Sequence, residues 1–276
     1  MIEPPSSKGD GVFFMSLGPT GHMILYKYYS WDAWINIVSK SKKVRFSNPH
    51  YFNDPFETKA ADHPLSNTAW FEADLERFSG IRENVVVFCL TRNPLNSLMW
   101  SHYGESHRGV VVGFDMVTMG FYDKKKCVLP CQFGNVIYTN TKPKGFYSDS
   151  FNDGVFSLQE FDPIYLEALQ RNYLYKSQEW AYEEEVRVVC HREALGGASK
   201  NTYEAFLDVV FDPSAVKELY FGWRCQKDKK SPYRAMKQVT KRMMHEFPNA
   251  ELRVVEPESD TWRLDSHILG DDFFSC

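Results

Sequence analysis

Three consecutive carboxylates, Glu183, Glu184 and Glu185, stand directly in front of the apolar run VRVVCH. If the chain is extended from Glu183 onward, side-chain alternation places Glu183, Glu185 and Arg187 on one face. Two close carboxylates raise the pKa of one of them, which suits proton transfer or sugar chemistry. Glu183 and Glu185 are therefore the candidate catalytic residues. The alternative is a solvated strand entrance in which Glu185 forms an ion pair with Arg187.

A second polar group lies in the segment FSNPHYFNDPFE (46–57). Its two prolines prevent regular structure, and the motif NDP (53–55) is typical of a turn, because Asn and Asp side chains bond their own backbone. The segment is either a rigid loop anchored by its phenylalanines or a loop that presents Ser47, Asn53 and Asp54 to a ligand.

Two further stretches combine polar and aromatic side chains. Lys27 and Tyr28 occupy opposite faces of the predicted strand LYKYYS. Since a core strand rarely buries an unpaired lysine, Lys27 lies either at a sheet edge or in a polar cleft. In NSLMWSHYGES, residues Met99, His102 and Tyr103 share one face of a predicted helix. A histidine on such a face is more often a hydrogen-bonded core or rim residue than a catalyst.

Short strands interleaved with helices must position these residues. Apolar runs predict strands at 23–29, 44–47, 85–91, 109–115, 186–191, 218–222 and 251–255. Helical periodicity predicts helices after the N-cap Ser30 and at 66–82, 96–106, 162–177 and 232–246. Regular βαβ alternation is missing, so the fold class is α+β. We expect an irregular arm at 1–22, one domain at 23–256 and a tail at 257–276.

The composition argues against several classes of function. The 276 residues carry a formal net charge of −4, so the overall field gives no signal for nucleic acid. The patterns of a P-loop, a Rossmann turn and a hydrolase nucleophile elbow are absent from the sequence. Cys127 and Cys131 have metal-like spacing but no second Cys/His pair, so no metal is expected. No signal peptide or membrane-spanning stretch is recognised, which favours a cytoplasmic protein with no membrane partner.

Four blocks in this order resemble a bacterial family catalogued as a domain of unknown function. The blocks are LYKYYS, FSNPHYFNDPFE, VFCLTRNPLNSLMWSHYGESHRGVVVGFD and KSQEWAYEEEVRV. The resemblance runs from about Leu25 to Gly222. Members of that family are often found in mobile or defence-associated settings, which implies a toxin or defence effector.

The same blocks are distantly similar to ADP-ribosyltransferases, which bind NAD in a cleft between split antiparallel sheets and use three motifs. Lys27 or Tyr28 would stand in the position of the first motif, a His or Arg on an early strand. Ser47 would stand in that of the Ser/Thr motif, and Glu183-x-Glu185 matches the acidic motif that opens a later strand. The sequence departs from the pattern by having no His or Arg in LYKYYS and no Ser-Thr-Ser.

This resemblance implies mainly antiparallel split sheets flanked by helices, with NAD as substrate and no metal. Glu185 would stabilise the oxocarbenium-like centre through a ribose hydroxyl, Glu183 would position or deprotonate the acceptor, and Ser47 would hold the ribose. The implied binding residues are Lys27, Tyr28, Ser47, Asn53, Asp54, His102, Tyr103 and Arg187. The sequence leaves open whether the acceptor is a protein or a nucleic acid.

Two other functions fit the same residues. In a non-catalytic binding or sensor module, the motifs NDPFE and WAYEEE would be structural braces. In a magnesium-dependent nuclease, Lys176 or the basic helix predicted at 232–246 would meet a phosphate, and four acidic residues would hold the ion. Those four residues are Asp54, Glu57, Glu183 and Glu185.

Overall fold

The computed structural model of the chain describes residues 21–54, 56, 84–143, 155, 158–197, 204–227 and 233–269, and for 226–227 and 233–239 the backbone alone. The predicted helix at 66–82, and most of the predicted arm 1–22 and loop 141–154, lie outside these residues.

The described strands are β1 (Ile24–Tyr29), β2 (Lys43–Ser47), β3 (Val85–Thr91), β4 (Val110–Asp115), β5 (Ile137–Thr139), β6 (Tyr175–Ser177), β7 (Glu185–His191), β8 (Phe206–Val210), β9 (Val216–Phe221), β10 (Glu251–Pro257) and β11 (Leu264–Ile268). The α-helices are α1 (Trp31–Ala33), α2 (Ser97–His102), α3 (Leu166–Tyr173), α4 (Trp223–Lys227) and α5 (Tyr233–Glu246). A π-helix (Trp34–Ser39) continues α1, and a 3₁₀-helix (Gln178–Glu183) precedes β7.

The predicted α+β class is confirmed by a mainly antiparallel sheet with a few helices. Among the described residues, the main sheet has the strand order β11-β10-β9-β4-β1-β3-β2-β8, and β7 pairs with β3 in addition. Strands β9 and β10 are parallel, whereas the other pairs in this sheet are antiparallel. Strands β5 and β6 form a separate parallel pair.

Strand β3 is buried on both faces, which explains its unbroken apolar sequence. Val86 and Phe88 point into the largest core cluster, whereas Val85 and Val87 pack in a second cluster that includes Leu169 of α3. Full burial of one such side chain contributes about 1.5–3 kcal/mol. Strand β7 pairs with β3 along its whole length, so the core holds β7 in a fixed register.

The main sheet divides next to β3. Strands β1 and β3 are paired at a single position, Tyr26 opposite Thr91, although β1 pairs with β4 along its whole length. Strands β2 and β3 likewise meet only at Ser47 opposite Val87. Because the strands separate on either side of these contacts, Lys27 of β1, Ser47 of β2 and Thr91 of β3 face a common opening.

Two segments differ from the sequence-based expectation. The helix expected at 162–177 ends at Tyr173, and Tyr175–Ser177 forms β6 instead, because it pairs with Ile137–Thr139. Local periodicity carries no information about that distant pairing. Strand β11 lies within the segment 257–276 that the sequence analysis assigns to a tail, and it pairs with β10 at the edge of the main sheet.

Gly134 packs against the backbone of β7, and no larger residue fits there. A Cβ atom at this position would lie 1.9 Å from the carbonyl oxygen of Arg187, whose N–H donates to Gly134 O at 2.8 Å. We expect Gly134→Ala to lower the free energy of unfolding by about 3 kcal/mol, because backbone must move to relieve the overlap. Urea denaturation measures this, with the exposed Asn140→Ala as a control. A loss below about 1 kcal/mol would contradict the packing described.

Candidate functional site

A cavity of about 310 Å³ opens where β1 and β3 separate. Its walls come from β1, β2, β3, the loop after β2, α2, β6 and the segment around the start of β7. It is lined by Tyr26, Lys27, Tyr28, Ser47, Tyr51, Phe52, Asn53, Cys89, Leu90, Thr91, Met99, Tyr103, Lys176, Glu183 and Glu185. The structure thus brings together these candidate residues from the sequence: Lys27, Tyr28, Ser47, Asn53, Tyr103, Glu183 and Glu185.

The acidic triplet is not extended throughout, as the sequence analysis assumed. Glu183 ends the 3₁₀-helix, Glu184 adopts a left-handed conformation with φ 46° and ψ 44°, and β7 begins only at Glu185. The turn at Glu184 still directs Glu183 and Glu185 into the same cavity. Glu184 lies outside the cavity lining, and its carboxylate accepts a hydrogen bond from Asn93 Nδ2 at 3.0 Å.

Glu185 and Arg187 form a buried bidentate ion pair. Arg187 Nε donates to Glu185 Oε1 at 2.8 Å, and Arg187 Nη2 donates to Glu185 Oε2 at 2.9 Å. Burial alone would raise the pKa of Glu185, but the charges of Arg187 and Lys176 outweigh it and hold that pKa well below its usual range. The expectation of a raised carboxyl pKa is therefore not met at Glu185. The alternative is right about the ion pair of Glu185 with Arg187 and wrong about its solvation, because both residues are buried.

Lys176 of β6 connects the two candidate catalytic carboxylates. Its Nζ donates to Glu183 Oε2 at 2.5 Å and to Glu185 Oε2 at 3.0 Å, and all three side chains are less than 8% exposed. The ammonium also lies 5.1 Å from the centre of the Trp180 ring. The pairing of β5 with β6 places this lysine at the cavity wall.

Two tyrosine hydroxyls complete the polar contacts of the acidic segment. Tyr103 OH donates to Glu183 Oε1 at 2.7 Å, and Tyr138 OH accepts a hydrogen bond from the backbone N–H of Glu185 at 2.8 Å. Burial, followed by the negative charge of Glu183, raises the pKa of Tyr103, so its hydroxyl keeps the proton that it donates.

Lys27 also lines the cavity, from the central strand β1. Its Nζ donates to the carbonyl oxygen of Cys89 at 2.8 Å and lies 5.1 Å from the centre of the Phe88 ring. Among the described residues no carboxylate forms an ion pair with Lys27, and burial lowers its pKa. Of the two sequence-based alternatives for Lys27, the polar cleft is the one observed.

Three of the predicted binding residues do not line the cavity. Asp54 is buried and accepts a hydrogen bond from the backbone N–H of Phe56, as expected for a turn residue. His102 is exposed on α2, with its ring 6.3 Å from that of Tyr182. Arg187 is buried behind Glu185, where its Nη1 also donates to the carbonyl oxygen of Tyr173 at 2.7 Å. The positions of these three residues therefore give no support to direct ligand contact.

A magnesium site is not supported by the described residues. No group of three or more described His, Cys, Asp or Glu side chains is arranged to hold a metal ion. The ammonium of Lys176 lies between Glu183 and Glu185, where the nuclease hypothesis requires a cation. Glu57, the fourth acidic residue of that hypothesis, lies outside the described residues. None of the described helices has the length and apolar character needed to cross a membrane.

The central position of Lys176 between the two carboxylates and the contact of Tyr138 with Glu185 were not predicted from the sequence. Lys176 entered only the nuclease hypothesis, as a phosphate contact. No motif spacing links these residues to the acidic triplet, because the short parallel pair β5–β6 brings them there. Only a prediction of the β5–β6 pairing from the sequence would have placed Lys176 and Tyr138 beside the acidic triplet.

The Glu185–Arg187 pair yields a test of the site's electrostatics. Arg187→Met should lower the free energy of unfolding at pH 7 by about 3–5 kcal/mol, because it leaves buried Glu185 without its bidentate partner. Arg45→Met is the matched control, since Arg45 pairs with Asp208 at the surface and should cost less than about 1 kcal/mol. Urea denaturation of both variants checks this. Equal losses of unfolding free energy in the two variants would contradict the claim that the buried Glu185–Arg187 pair matters more for stability than the surface pair.

Part of the chain is similar to a known protein family. No curated protein and no solved structure matches the chain. Residues 99–188, which run from α2 into β7, match the model of a family described as "Protein of unknown function (DUF2971)". The matched part contains Tyr103, Lys176, Glu183, Glu185 and Arg187, and it supports the coarser expectation of a family of unknown function.

Proposed function

We propose that the protein is an NAD-dependent enzyme similar to ADP-ribosyltransferases and that it transfers ADP-ribose to a macromolecular acceptor. One observation carries this proposal: Lys27, Ser47 and Glu185, which come from three different strands, line the same cavity. A transferase of this kind requires these three side chains to share one cleft, because all three would contact the same NAD molecule.

The size and lining of the cavity suit one half of the dinucleotide. Its volume is at the lower end of the ~300–1,000 Å³ typical of small-molecule sites. A cavity of this size would take the nicotinamide and its ribose, while the rest of NAD extends through the mouth. Tyr28, Phe52 and Tyr103 offer aromatic faces for the nicotinamide ring.

The charges around the cavity favour a ligand with an anionic group. Glu183 and Glu185 are balanced by Lys176 and Arg187. Lys27 is a further basic group in the lining, and its protonated form has three donors, of which Cys89 O uses one. An anionic ligand would favour this charged form, so Lys27 would bind a phosphate oxygen of NAD.

The ribose would be held by the two carboxylates. An ionised carboxylate offers about four acceptor sites. Arg187 and Lys176 use three of those on Glu185. A ribose hydroxyl would donate to the remaining one and bring the negative charge of Glu185 close to the developing positive charge at C1′.

In the proposed reaction, the bond between ribose C1′ and the nicotinamide nitrogen breaks, and both electrons leave with nicotinamide. A nucleophilic atom of the acceptor forms the new bond to C1′, and its proton passes to Glu183. Glu183 can take this role because the contacts from Tyr103 and Lys176 use only part of its acceptor capacity.

Release of nicotinamide from NAD tests the proposal, with and without cell extract as the source of acceptor. The unchanged protein should release nicotinamide, and Glu185→Gln should reduce the rate by about 100-fold, because it removes the charge opposite C1′. Glu184→Gln is the matched control, since Glu184 lies outside the cavity and a glutamine oxygen can still accept from Asn93. Its rate should stay within about twofold of the unchanged protein.

A second variant covers the case in which Glu185→Gln fails to fold. Ser47→Ala removes a cavity hydroxyl and should weaken NAD binding about 3- to 10-fold, as calorimetry would measure. Absence of nicotinamide release by folded protein with extract present, or equal release by Glu185→Gln, would contradict the transferase proposal.

The binding-module alternative has one observation in its favour. Both carboxylates are already held by buried cations, as expected if the acidic segment braces the wall of a binding site. Under this alternative, NAD or another anionic ligand binds in the cavity and no nicotinamide is released. The same two measurements, binding and release, therefore separate the two functions.

A further inference from the structure

Lys176 is the contact between two carboxylates that would otherwise repel each other. Its Nζ donates hydrogen bonds to one oxygen of Glu183 at 2.5 Å and to one oxygen of Glu185 at 3.0 Å, and its side chain is only 6% exposed. A buried lysine is costly unless its charge is compensated. Among the described residues, Lys176 and Arg187 together balance the charges of Glu183 and Glu185.

The two carboxylates depend on Lys176 to different degrees. Glu185 has a second, bidentate cation in Arg187, which would remain if Lys176 were removed. For Glu183, Lys176 is the cation in its contacts among the described residues, and its other bond comes from the neutral hydroxyl of Tyr103. Loss of Lys176 would therefore leave Glu183 as a buried carboxylate without a balancing charge.

We propose that Lys176 is a positioning residue of the cavity, which balances the charge of the Glu183 carboxylate and fixes it beside Glu185. The role of Glu183 as proton acceptor rests on the function proposed above, whereas the electrostatic role of Lys176 can be tested without NAD. The lysine itself needs no contact with the reacting atoms. It acts by holding the oxygen of Glu183 that it bonds, so that the other oxygen stays with Tyr103 at the cavity wall.

Other groups facing Glu183 have to be considered in any pH experiment. The charged or titratable neighbours at this end of the cavity are Lys27, Cys89, Tyr103, Tyr138, Tyr182, Glu185 and Arg187. Burial raises the pKa values of Tyr103, Tyr138 and Cys89. The pKa of Glu185 is lowered by its neighbouring cations. Lys27, whose pKa is lowered by burial, and His102, whose ring lies 6.3 Å from those of Tyr103 and Tyr182, are present in every variant. The comparison between Lys176→Met and the double variant therefore isolates the contribution of Glu183.

The test is a double-mutant cycle of Lys176→Met and Glu183→Gln, measured by thermal unfolding at pH 5.5 and pH 8. Lys176→Met should lower Tm by about 10 °C at pH 8 and by clearly less at pH 5.5. The loss of stability is larger at pH 8 because the carboxylate of Glu183, without Lys176, destabilises the fold most when it is ionised. At pH 5.5 protonation of this carboxylate removes part of the loss. Glu183→Gln in the Lys176→Met background should restore most of Tm at pH 8 and remove the pH difference.

Lys125→Met serves as control, because Lys125 is exposed and does not line the cavity. It should leave Tm unchanged at both pH values. The proposal is overturned if Lys176→Met lowers Tm by the same amount at both pH values and the added Glu183→Gln substitution does not restore Tm. Lys176 would then act only by packing its stem near Trp180.

The activity of the same variants separates this proposal from the transferase proposal. If the protein releases nicotinamide, the acid limb of the pH–rate profile should move to higher pH in Lys176→Met, since Glu183 is then protonated more readily. If the unchanged protein releases none, the transferase proposal fails while the double-mutant cycle still decides the role of Lys176. An unshifted acid limb in an active Lys176→Met variant would count against the positioning role.

Discussion

The buried ion pair between Glu185 and Arg187 is the constraint around which the rest of the site is arranged. Removing two charges from water costs several kcal/mol for each, and only close, multiple hydrogen bonds offset that cost. Arg187 meets this condition with two bonds to Glu185 and one to the carbonyl oxygen of Tyr173. The pair also ties the first residue of β7 to the end of α3, so the position of Glu185 depends on the folded core.

The division of the sheet beside β3 turns this buried charge into an accessible site. Strand β3 pairs with β7 along its full length, but it pairs with β1 and with β2 at a single position each. A continuous sheet would have filled this space with backbone hydrogen bonds. Since the strands separate instead, Lys27, Ser47 and Glu185 reach a common cavity from three strands. The left-handed turn at Glu184 adds Glu183 to the same wall.

Much of this arrangement could be predicted from the sequence, because strong local patterns encode it. The runs VVVFCLT and VRVVCH mark β3 and β7 correctly, since strands buried on both faces are apolar throughout. The pairing of Glu185 with Arg187 follows from strand alternation. The central place of Lys176 could not be predicted, because it depends on β5 pairing with β6 across nearly forty positions of sequence. Nor could the low pKa of Glu185, since it reflects cations that only the folded chain assembles.

The most direct test of the account is a crystal structure with an NAD analogue in which a methylene group replaces the ring oxygen of the nicotinamide ribose, so that the sugar bond resists cleavage. The account predicts that the nicotinamide ring lies in the cavity, with a ribose hydroxyl about 3 Å from a carboxylate oxygen of Glu185. It also predicts a phosphate oxygen near Lys27. An analogue bound elsewhere, or an empty cavity at saturating concentration, would contradict the claim that this cavity is an NAD site.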